Sequence, residues 1–374
     1  MKAGCESACL GVNRLGRALC PALLAMVLAC AAQAQESGVP PARVEIEANG
    51  TVHVPAHSVP ISSLLSPEGQ AYLKDHLLSV QRPEMHEQID GVPRLLVDYI
   101  ARQRELFPVE RRDVTIAGVH AYEYVPKNGV PDANRDRVLI NLHGGGFSGC
   151  WPACAELESI PVASLGRIRV LSLDYRQAPA YRFPAASEDV AAVYRQLIGE
   201  YAPENIGIYG CSAGGMLTGM AVAWFQAHAL PKPGAVGVLC AGMTLDGGGF
   251  GGDAAYTTPI IGEGRAPPPA SSDAGALPPM AYLAGVGHDD PLAAPAASLE
   301  VLAGFPPTLI VTGTRGFDLS SAVYTHAQLV KAGVETDLHV WEGMFHGFFY
   351  NADVPESREC FDVIVAFFDR NLGR

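Results

Sequence analysis

Three side chains in this sequence are of the types, and come in the order, that nucleophilic attack on a carbonyl requires. Ser212 lies at the centre of Gly210-Cys-Ser-Ala-Gly214. A short run of β-branched and aromatic residues, Ile206 to Tyr209, precedes it, and an apolar helical pattern from about Met216 to His228 follows. In so tight a strand-to-helix turn, side chains two positions either side of the serine would collide with neighbouring backbone, which is the reason for glycine at 210 and 214. The turn pushes the Ser212 hydroxyl into the open and aims the N–H of Ala213 at the same space. A serine hydroxyl is a poor nucleophile until a base takes its proton. His346, in Met344-Phe-His-Gly-Phe348, falls between the last strand pattern and the last helix pattern. A carboxylate must in turn fix the imidazole tautomer and stabilise its charged form. Asp318 is the one carboxylate in the loop 312–321. Its other natural role there is to cap the helix that starts near Leu319.

Attack on a carbonyl also needs donors for the oxygen that becomes negative. His143-Gly-Gly-Gly-Phe147 directly follows the apolar run Val138 to Leu142. Consecutive glycines let the backbone turn its N–H groups outward and approach a ligand closely. With Ala213, the N–H groups of Gly144 and Gly145 are the expected oxyanion hole. A phosphate cradle would instead want Gly-Lys-Ser/Thr before a helix, and none follows. Phe147, Trp151, Phe345 and Phe348 flank these stretches and could line an apolar substrate slot or simply pack in the core. Cys211 adjoins the nucleophile, but the elbow exposes only its central position, so Cys211 is expected to be buried and inert.

The elements that must position these groups alternate. Asp113–Ile116 and His120–Val125 read as two antiparallel strands joined at Gly118. Val138–Leu142, Arg169–Leu173, the elbow strand, Ala235–Cys240, Pro307–Thr312 and Glu335–Val340 read as further strands. Helical patterns separate them at about 155–165, 188–197, 216–228 and 320–331, and another closes the chain at 355–371. Strands alternating with helices predict an α/β fold with a mainly parallel sheet, whose sites form at the carboxyl ends of strands. The candidate chemical stretches follow Leu142, Tyr209 and Thr312, three such ends. Residues 35–112 read as an arm followed by two helices, 67–78 and 92–106, and residues 113–374 as the catalytic domain. Residues 244–296, dense in Gly, Pro, Ala and Ser, break the rhythm and read as an unstructured insertion over the site, including Gly247-Gly-Gly249 and Pro267-Pro-Pro269.

Residues 1–34 read as an export signal. Lys2, Arg14 and Arg17 supply a positive start, Leu19 to Ala31 is apolar, and Ala32-Gln-Ala34 is a cleavage pattern. The expected location is periplasmic or secreted. Val27-Leu-Ala-Cys30 faintly resembles a lipoprotein box, so lipid anchoring at Cys30 is the second reading. The apolar run is short for a bilayer span. A net charge of −13 and the lack of a basic patch argue against a nucleic-acid partner. Beyond the leader lie Cys150, Cys154, Cys211, Cys240 and Cys360. In an oxidising compartment Cys150 and Cys154 could pair, or two others could, and at least one thiol stays free. No cysteine or histidine cluster has zinc spacing; His53 and His57 are separated by Pro55, which keeps them off one helical face. No metal or organic cofactor is expected.

These motifs together resemble the hormone-sensitive-lipase family of α/β-hydrolase esterases, the bacterial family IV carboxylesterases. The matching stretches are His143-Gly-Gly-Gly-Phe147, Asp174-Tyr-Arg-Gln-Ala-Pro179 with Phe183-Pro-Ala-Ala186 and Glu188-Asp189, Gly210-Cys-Ser-Ala-Gly-Gly215, and His346-Gly-Phe348. The resemblance implies Ser212 as nucleophile, His346 as base, an oxyanion hole from Gly144, Gly145 and Ala213, and a cap built from the N-terminal helices and the insertion. The reading is a cofactor-free serine carboxylesterase, and a cap rich in glycine and proline points to small-molecule esters of short to medium acyl chain. An exported polysaccharide or xenobiotic deacetylase on the same fold is the alternative, and a ligand-binding module with impaired catalysis a third. Three departures stand out. The family usually has Asp where Cys211 stands, and Glu where Ala180 stands. Its acid usually occupies the position of Gly316, two residues before Asp318. The sequence leaves the natural ester and the oligomeric state open.

Overall fold

The strand-like runs assemble into one eight-stranded sheet within Pro60–Arg374. Its members are β1 (Val109–Ile116), β2 (Val119–Pro126), β3 (Val138–Leu142), β4 (Arg169–Leu173), β5 (Ile206–Cys211), β6 (Ala235–Leu239), β7 (Thr308–Gly313) and β8 (Thr336–Trp341). Across the sheet the order is β8-β7-β6-β5-β3-β4-β2-β1. The β1–β2 and β2–β4 pairs are antiparallel and all other neighbours are parallel. The computed structural model describes residues 43–245, 250–265 and 280–373. The leader reading, Gly247–Gly249 and Pro267–Pro269 lie outside the described residues. Residues 43–59 belong to a separate unit, in which Glu45–Ile46 pairs antiparallel with Val52–His53.

Nine helices of the described residues flank or precede the sheet strands: α1 (Pro67–Ser79), α2 (Arg94–Leu106), α3 (Ala153–Gly166), α4 (Ala185–Leu197), α5 (Ala213–Ala227), α6 (Asp253–Gly262), α7 (Leu299–Ala303), α8 (Leu319–Lys331) and α9 (Pro355–Asn371). Successive strand residues face opposite sides, and the core splits accordingly. Val138, Ile140 and Leu142 of β3 join one cluster with Ala191 and Tyr194 of α4 and Met216 and Met220 of α5. Leu139, between them, joins a second cluster with Ile160 of α3 and Phe361, Ile364 and Phe368 of α9. The five residues of β3 are all buried, as a strand covered on both faces must be. A sheet covered by helices on both faces, entered through an antiparallel pair, is the arrangement expected from the sequence.

Several boundaries differ from expectation: β1 begins at Val109 rather than Asp113, so the sheet starts before residue 113, and α4 and α5 begin three residues early, at Ala185 and Ala213. Helix α2 begins at Arg94, because Val92–Pro93 is drawn into a two-residue ribbon with Gln88–Ile89. Residues 244–296 are not a structureless loop: they contain α6 and 3-10 turns at Ala281–Leu283 and Pro295–Ala297. Thr257-Thr258-Pro259 hides α6 in the sequence, since neither β-branched residues nor proline favour a helix interior. The two hydroxyls bond back to Asp253 O and Ala254 O instead of competing with the helix from outside.

The insertion is tied at both ends of α6. Ala254 N–H donates to Ser320 Oγ. Arg315, on the loop after β7, is 6% exposed and donates to Ile261 O at 2.8 Å and Pro60 O at 2.7 Å. Burial pushes this guanidinium down from its usual range. His76 of α1 reaches Glu263 at 3.2 Å and Gln81 reaches Gly264 O, so α1 and the insertion hold each other.

The tightest backbone approach in the core lies where α5 leaves β5. A Cβ built on Gly214 would fall on the carbonyl oxygen of Leu142, at the end of β3. Backbone cannot yield there as a flexible side chain can. Gly214→Ala should therefore cost about 3 kcal/mol or more of folding stability. Urea unfolding monitored by circular dichroism measures it, and a loss below about 0.5 kcal/mol would show the approach to be looser than described.

Candidate active site

Strand β5 ends at Cys211 and α5 begins at Ala213, leaving Ser212 alone on the turn. Its φ of 58° and ψ of −122° lie outside the regions an L-residue prefers. Such strain persists only where the surroundings over-determine it. Here Ser212 N–H donates to Leu239 O at 2.8 Å, and Gly210 and Gly214 lie against the Leu142 carbonyl. Ser212 is half-buried while Cys211 is 1% exposed. Burial pushes the Cys211 thiol well above its ordinary range, which keeps it protonated and unreactive.

The loops after β7 and β8 bring Asp318 and His346 together. His346 Nδ1 lies 2.9 Å from Asp318 Oδ1, and the carboxylate is fully buried. Its other oxygen accepts from Thr312 Oγ1 at 2.5 Å. Asp318 does occupy the N-terminal cap position of α8, but its side chain makes no capping bond; it turns to the imidazole instead. Phe317 stacks on the His346 ring, with centroids 4.1 Å apart. With Nδ1 committed to Asp318, Nε2 is the nitrogen left for a hydroxyl. Ser212 and the residue after His346 are tied to adjacent residues at the end of β6: Ser212 N–H bonds Leu239 O, and Gly347 N–H donates to Cys240 Sγ at 3.3 Å. The position of the acid also explains Gly316. A Cβ there would sit 2.8 Å from Asp318 Oδ1, so the carboxylate fills the space a side chain at 316 would take.

The oxyanion donors need one correction. Gly144 N–H does not face open space; it donates to Glu158 Oε1 at 2.9 Å. Among the described residues no hydrogen bond takes up the N–H of Gly145 or Gly146. Ala213 opens α5, where an N–H has no intrahelical acceptor. The available donors are thus Gly145, Gly146 and Ala213. Gly145 and Gly146 adopt φ of 115° and 62°, backbone that side-chain-bearing residues rarely take. The loop is held from behind by Tyr175, whose hydroxyl donates to His143 O at 2.5 Å and whose ring stacks on His143. Burial lowers the His143 imidazole to about 4, so it stays neutral.

The aromatic residues do not line a slot as a group. Phe147 is fully buried and stacks on Tyr282 of the insertion at 4.6 Å. Phe345 is buried against His76 and Tyr72 of α1, and Phe348 against Trp341 and Phe349. Trp151 alone keeps some exposure, within an aromatic group of His120, Tyr122 and His143. Their rings pack the candidate loops against α1 and the insertion. The Tyr-Arg-Gln-Ala-Pro stretch is likewise structural: Arg176 binds Asp189 through its backbone N–H and its guanidinium, each at 2.8 Å, and reaches Glu188 at 2.9 Å. Cys150 and Cys154 form a disulfide, and Cys211, Cys240 and Cys360 are free and buried.

Sequence reasoning missed Thr312, Tyr350 and Glu158. Glu158 is 0% exposed on the inner face of α3, and burial raises its carboxyl to about 7, against the pull of the groups that donate to it. A charged residue inside the apolar pattern Leu157-Glu-Ser-Ile160 was the available signal.

Comparison with known proteins agrees with this geometry. Residues 139–350 match the family model described as the α/β hydrolase fold. An acetyl-hydrolase of Streptomyces hygroscopicus is 33% identical over 268 residues, covering 70% of this chain and 83% of its own. The crystal structure of an esterase superposes with a TM-score of 0.69 at 26% identity, over 86% of this chain and 99% of its own. An esterase from the bacterial hormone-sensitive lipase family gives a TM-score of 0.66 at 27% identity, over 82% and 99%.

Two outcomes follow from the geometry. Gly316→Ala puts a methyl against the Asp318 carboxylate and should lower kcat at least about tenfold, with little change in KM, since a misplacement of about 1 Å can cost a hundredfold. Steady-state kinetics on an aryl ester reads it, and a wild-type kcat would mean the acid does not need its present place. The second concerns pH. The folded chain holds the Glu158 proton up to about 7 against an ordinary value of 4.5. Between those values the folded state binds more protons than the unfolded one, so this group's contribution to stability is complete below 4.5 and is lost as pH rises through about 7. Melting temperatures from pH 5 to 8 should carry that downward component in the wild type and lose it in Glu158→Gln; identical pH profiles would rule it out.

Proposed function

From the premise that the chain belongs to the α/β-hydrolase fold family, as a hormone-sensitive-lipase-like carboxylic ester hydrolase, we propose that it works by acyl transfer through Ser212, His346 and Asp318. The observation that carries the assignment is the 2.9 Å bond from His346 Nδ1 to the fully buried Asp318 carboxylate. In the first step Ser212 Oγ bonds to the ester carbonyl carbon while His346 Nε2 accepts the hydroxyl proton. The carbonyl electron pair moves to oxygen, and the N–H groups of Gly145, Gly146 and Ala213 receive that negative charge. Collapse breaks the carbon–oxygen bond to the alcohol, which leaves with the proton from His346. Water then repeats the sequence on the acyl-enzyme, releasing the acid and restoring Ser212. Asp318 holds the tautomer with hydrogen on Nδ1 and stabilises the imidazolium, and Thr312 fixes the rotation of that carboxylate.

The substrates we propose are small esters of short to medium acyl chain, acetyl among them. The acetyl-hydrolase relative supports this. Helix α1 and the insertion, bound to each other through His76–Glu263 and Gln81–Gly264, are the proposed cap. No helix of the described residues is long and apolar enough to cross a membrane. Export is the proposed location, supported by the signal-like residues 1–34 and by the Cys150–Cys154 disulfide, which suits an oxidising compartment.

Hydrolysis of p-nitrophenyl acetate, butyrate and decanoate tests the mechanism and sizes the acyl pocket together. Ser212→Ala should abolish turnover of all three. Asp318→Asn should keep the fold and lower kcat by roughly 10³- to 10⁴-fold, the scale seen when a triad carboxylate becomes an amide. An Asp318→Asn enzyme as fast as wild type would remove Asp318 from the triad. Decanoate turned over faster than acetate would reverse the acyl preference.

A further inference from the structure

One carboxylate in the core bonds to the glycine loop after β3, to the end of β5 beside Ser212 and to the segment after His346, and is itself outside the proposed chemistry. Glu158 points from α3 toward the carboxyl ends of β3 and β5. Its Oε1 accepts from Gly144 N–H at 2.9 Å and from the Tyr350 hydroxyl at 3.0 Å. Its Oε2 accepts from Asn141 Nδ2 at 2.9 Å and from Cys211 N–H at 3.2 Å. Gly144 immediately precedes the free N–H groups of Gly145 and Gly146. Cys211 immediately precedes Ser212 and Ala213. Tyr350 lies four residues beyond His346. Asn141 is held in turn by Ser172, whose hydroxyl donates to its carbonyl oxygen at 2.6 Å.

We propose that Glu158 is a positioning residue for the oxyanion hole, setting the Gly145–Gly146 half and the Ser212–Ala213 half in register through a single carboxylate. The inference rests on the reading of Ser212 as nucleophile and of those three N–H groups as the hole. Burying a carboxylate is costly unless it is paired and hydrogen-bonded. No described arginine or lysine forms an ion pair with Glu158; its named partners are four neutral donors. A core position that needed only packing would be served by leucine or methionine. Two oxygens, each accepting twice, are what the carboxyl offers here once ionised, above about pH 7, and an amide does not. Position 211 sharpens the point. Its side chain is a buried thiol that makes no bond to the Gly144 loop, so the link between the loop and the elbow comes from α3. A hole built of backbone N–H groups stabilises charge only if its donors are fixed before the charge appears. Glu158 supplies that fixation at the residues adjacent to the donors, and it touches neither substrate nor the reacting atoms.

The test compares wild type, Glu158→Gln, Tyr350→Phe and Ser212→Ala on p-nitrophenyl butyrate. A second readout is inhibition by an aryl trifluoromethyl ketone, which adds to a serine as an anionic hemiketal and so reports the hole directly. Glu158→Gln keeps shape but presents an amide NH₂ to two of the four donors. It should lower kcat by about 10- to 100-fold, less than the loss of a donor itself, with KM within about twofold. The trifluoromethyl ketone inhibition constant should weaken in proportion to kcat/KM. Tyr350→Phe, which removes one donor and little volume, should lower kcat several-fold in the same pattern and carries the test if Glu158→Gln does not fold. Folded variants that keep wild-type kcat and wild-type inhibition would overturn the proposal. So would variants that lose only thermal stability, because a purely structural carboxylate would do that. If Ser212→Ala stays active, the nucleophile assignment fails first, and that outcome is separate from a dead Ser212→Ala beside an unimpaired Glu158→Gln.

Discussion

The carbonyl oxygen of Leu142 sets the distance on which the whole site depends. It ends a strand buried on both faces, and the elbow between β5 and α5 is pressed against it so closely that neither Gly210 nor Gly214 can carry a side chain. That contact fixes how far the glycine loop after β3 stands from the serine on the neighbouring strand. Parallel pairing of β3 with β5 fixes the direction of both, because the register carries Leu142 opposite Gly210. The proposed nucleophile and the proposed oxyanion donors then lie just past the ends of adjacent strands. The strained backbone at Ser212 is sustained by the same packing.

The Asp318 carboxylate is placed by its neighbours rather than by the helix it begins. Asp318 sits at the start of α8, where a carboxylate would ordinarily satisfy free helical N–H groups. Its side chain turns away to the imidazole because Thr312 offers a donor on one side and Gly316 offers empty volume on the other. Phe317, between the glycine and the aspartate, is thereby placed flat against His346 and limits its rotation. The loop reaches this arrangement within five residues, between a regular strand ending at Gly313 and a regular helix starting at Leu319.

Much of this was legible before any coordinate. The strands were readable because burial on both faces writes itself into short, nearly continuous apolar runs such as Val138–Leu142 and Thr308–Thr312. Ser212 on its turn and the pairing of His346 with Asp318 were readable because loops at the ends of such strands are short and offer few candidates. The helix Asp253–Gly262 was not, since Thr257, Thr258 and Pro259 argue locally for a break and only contacts with α8 and Arg315 make it a helix. The choice among three successive glycines was also beyond the sequence. Which N–H is free depends on Glu158, fourteen residues away on another element. The phenylalanines failed for a related reason: proximity in sequence to a catalytic residue says nothing about which side of the loop a ring faces, and Phe147 and Phe345 face inward to Tyr282 and to α1.

Arg315 carries a consequence for how such a protein can change over evolution or in the laboratory. Its guanidinium is buried on the same loop as the acid, and its partners are main-chain carbonyls of the insertion and of the segment before α1. Insertions over an active site are commonly treated as exchangeable parts, to be grafted from one scaffold to another to alter substrate choice. Here a transplanted segment that failed to present a carbonyl at the place of Ile261 would strand a buried cation one residue from Gly316 and three from Asp318. Reshaping the pocket by segment exchange is therefore constrained by main-chain geometry at one point, whatever side chains the donor segment brings.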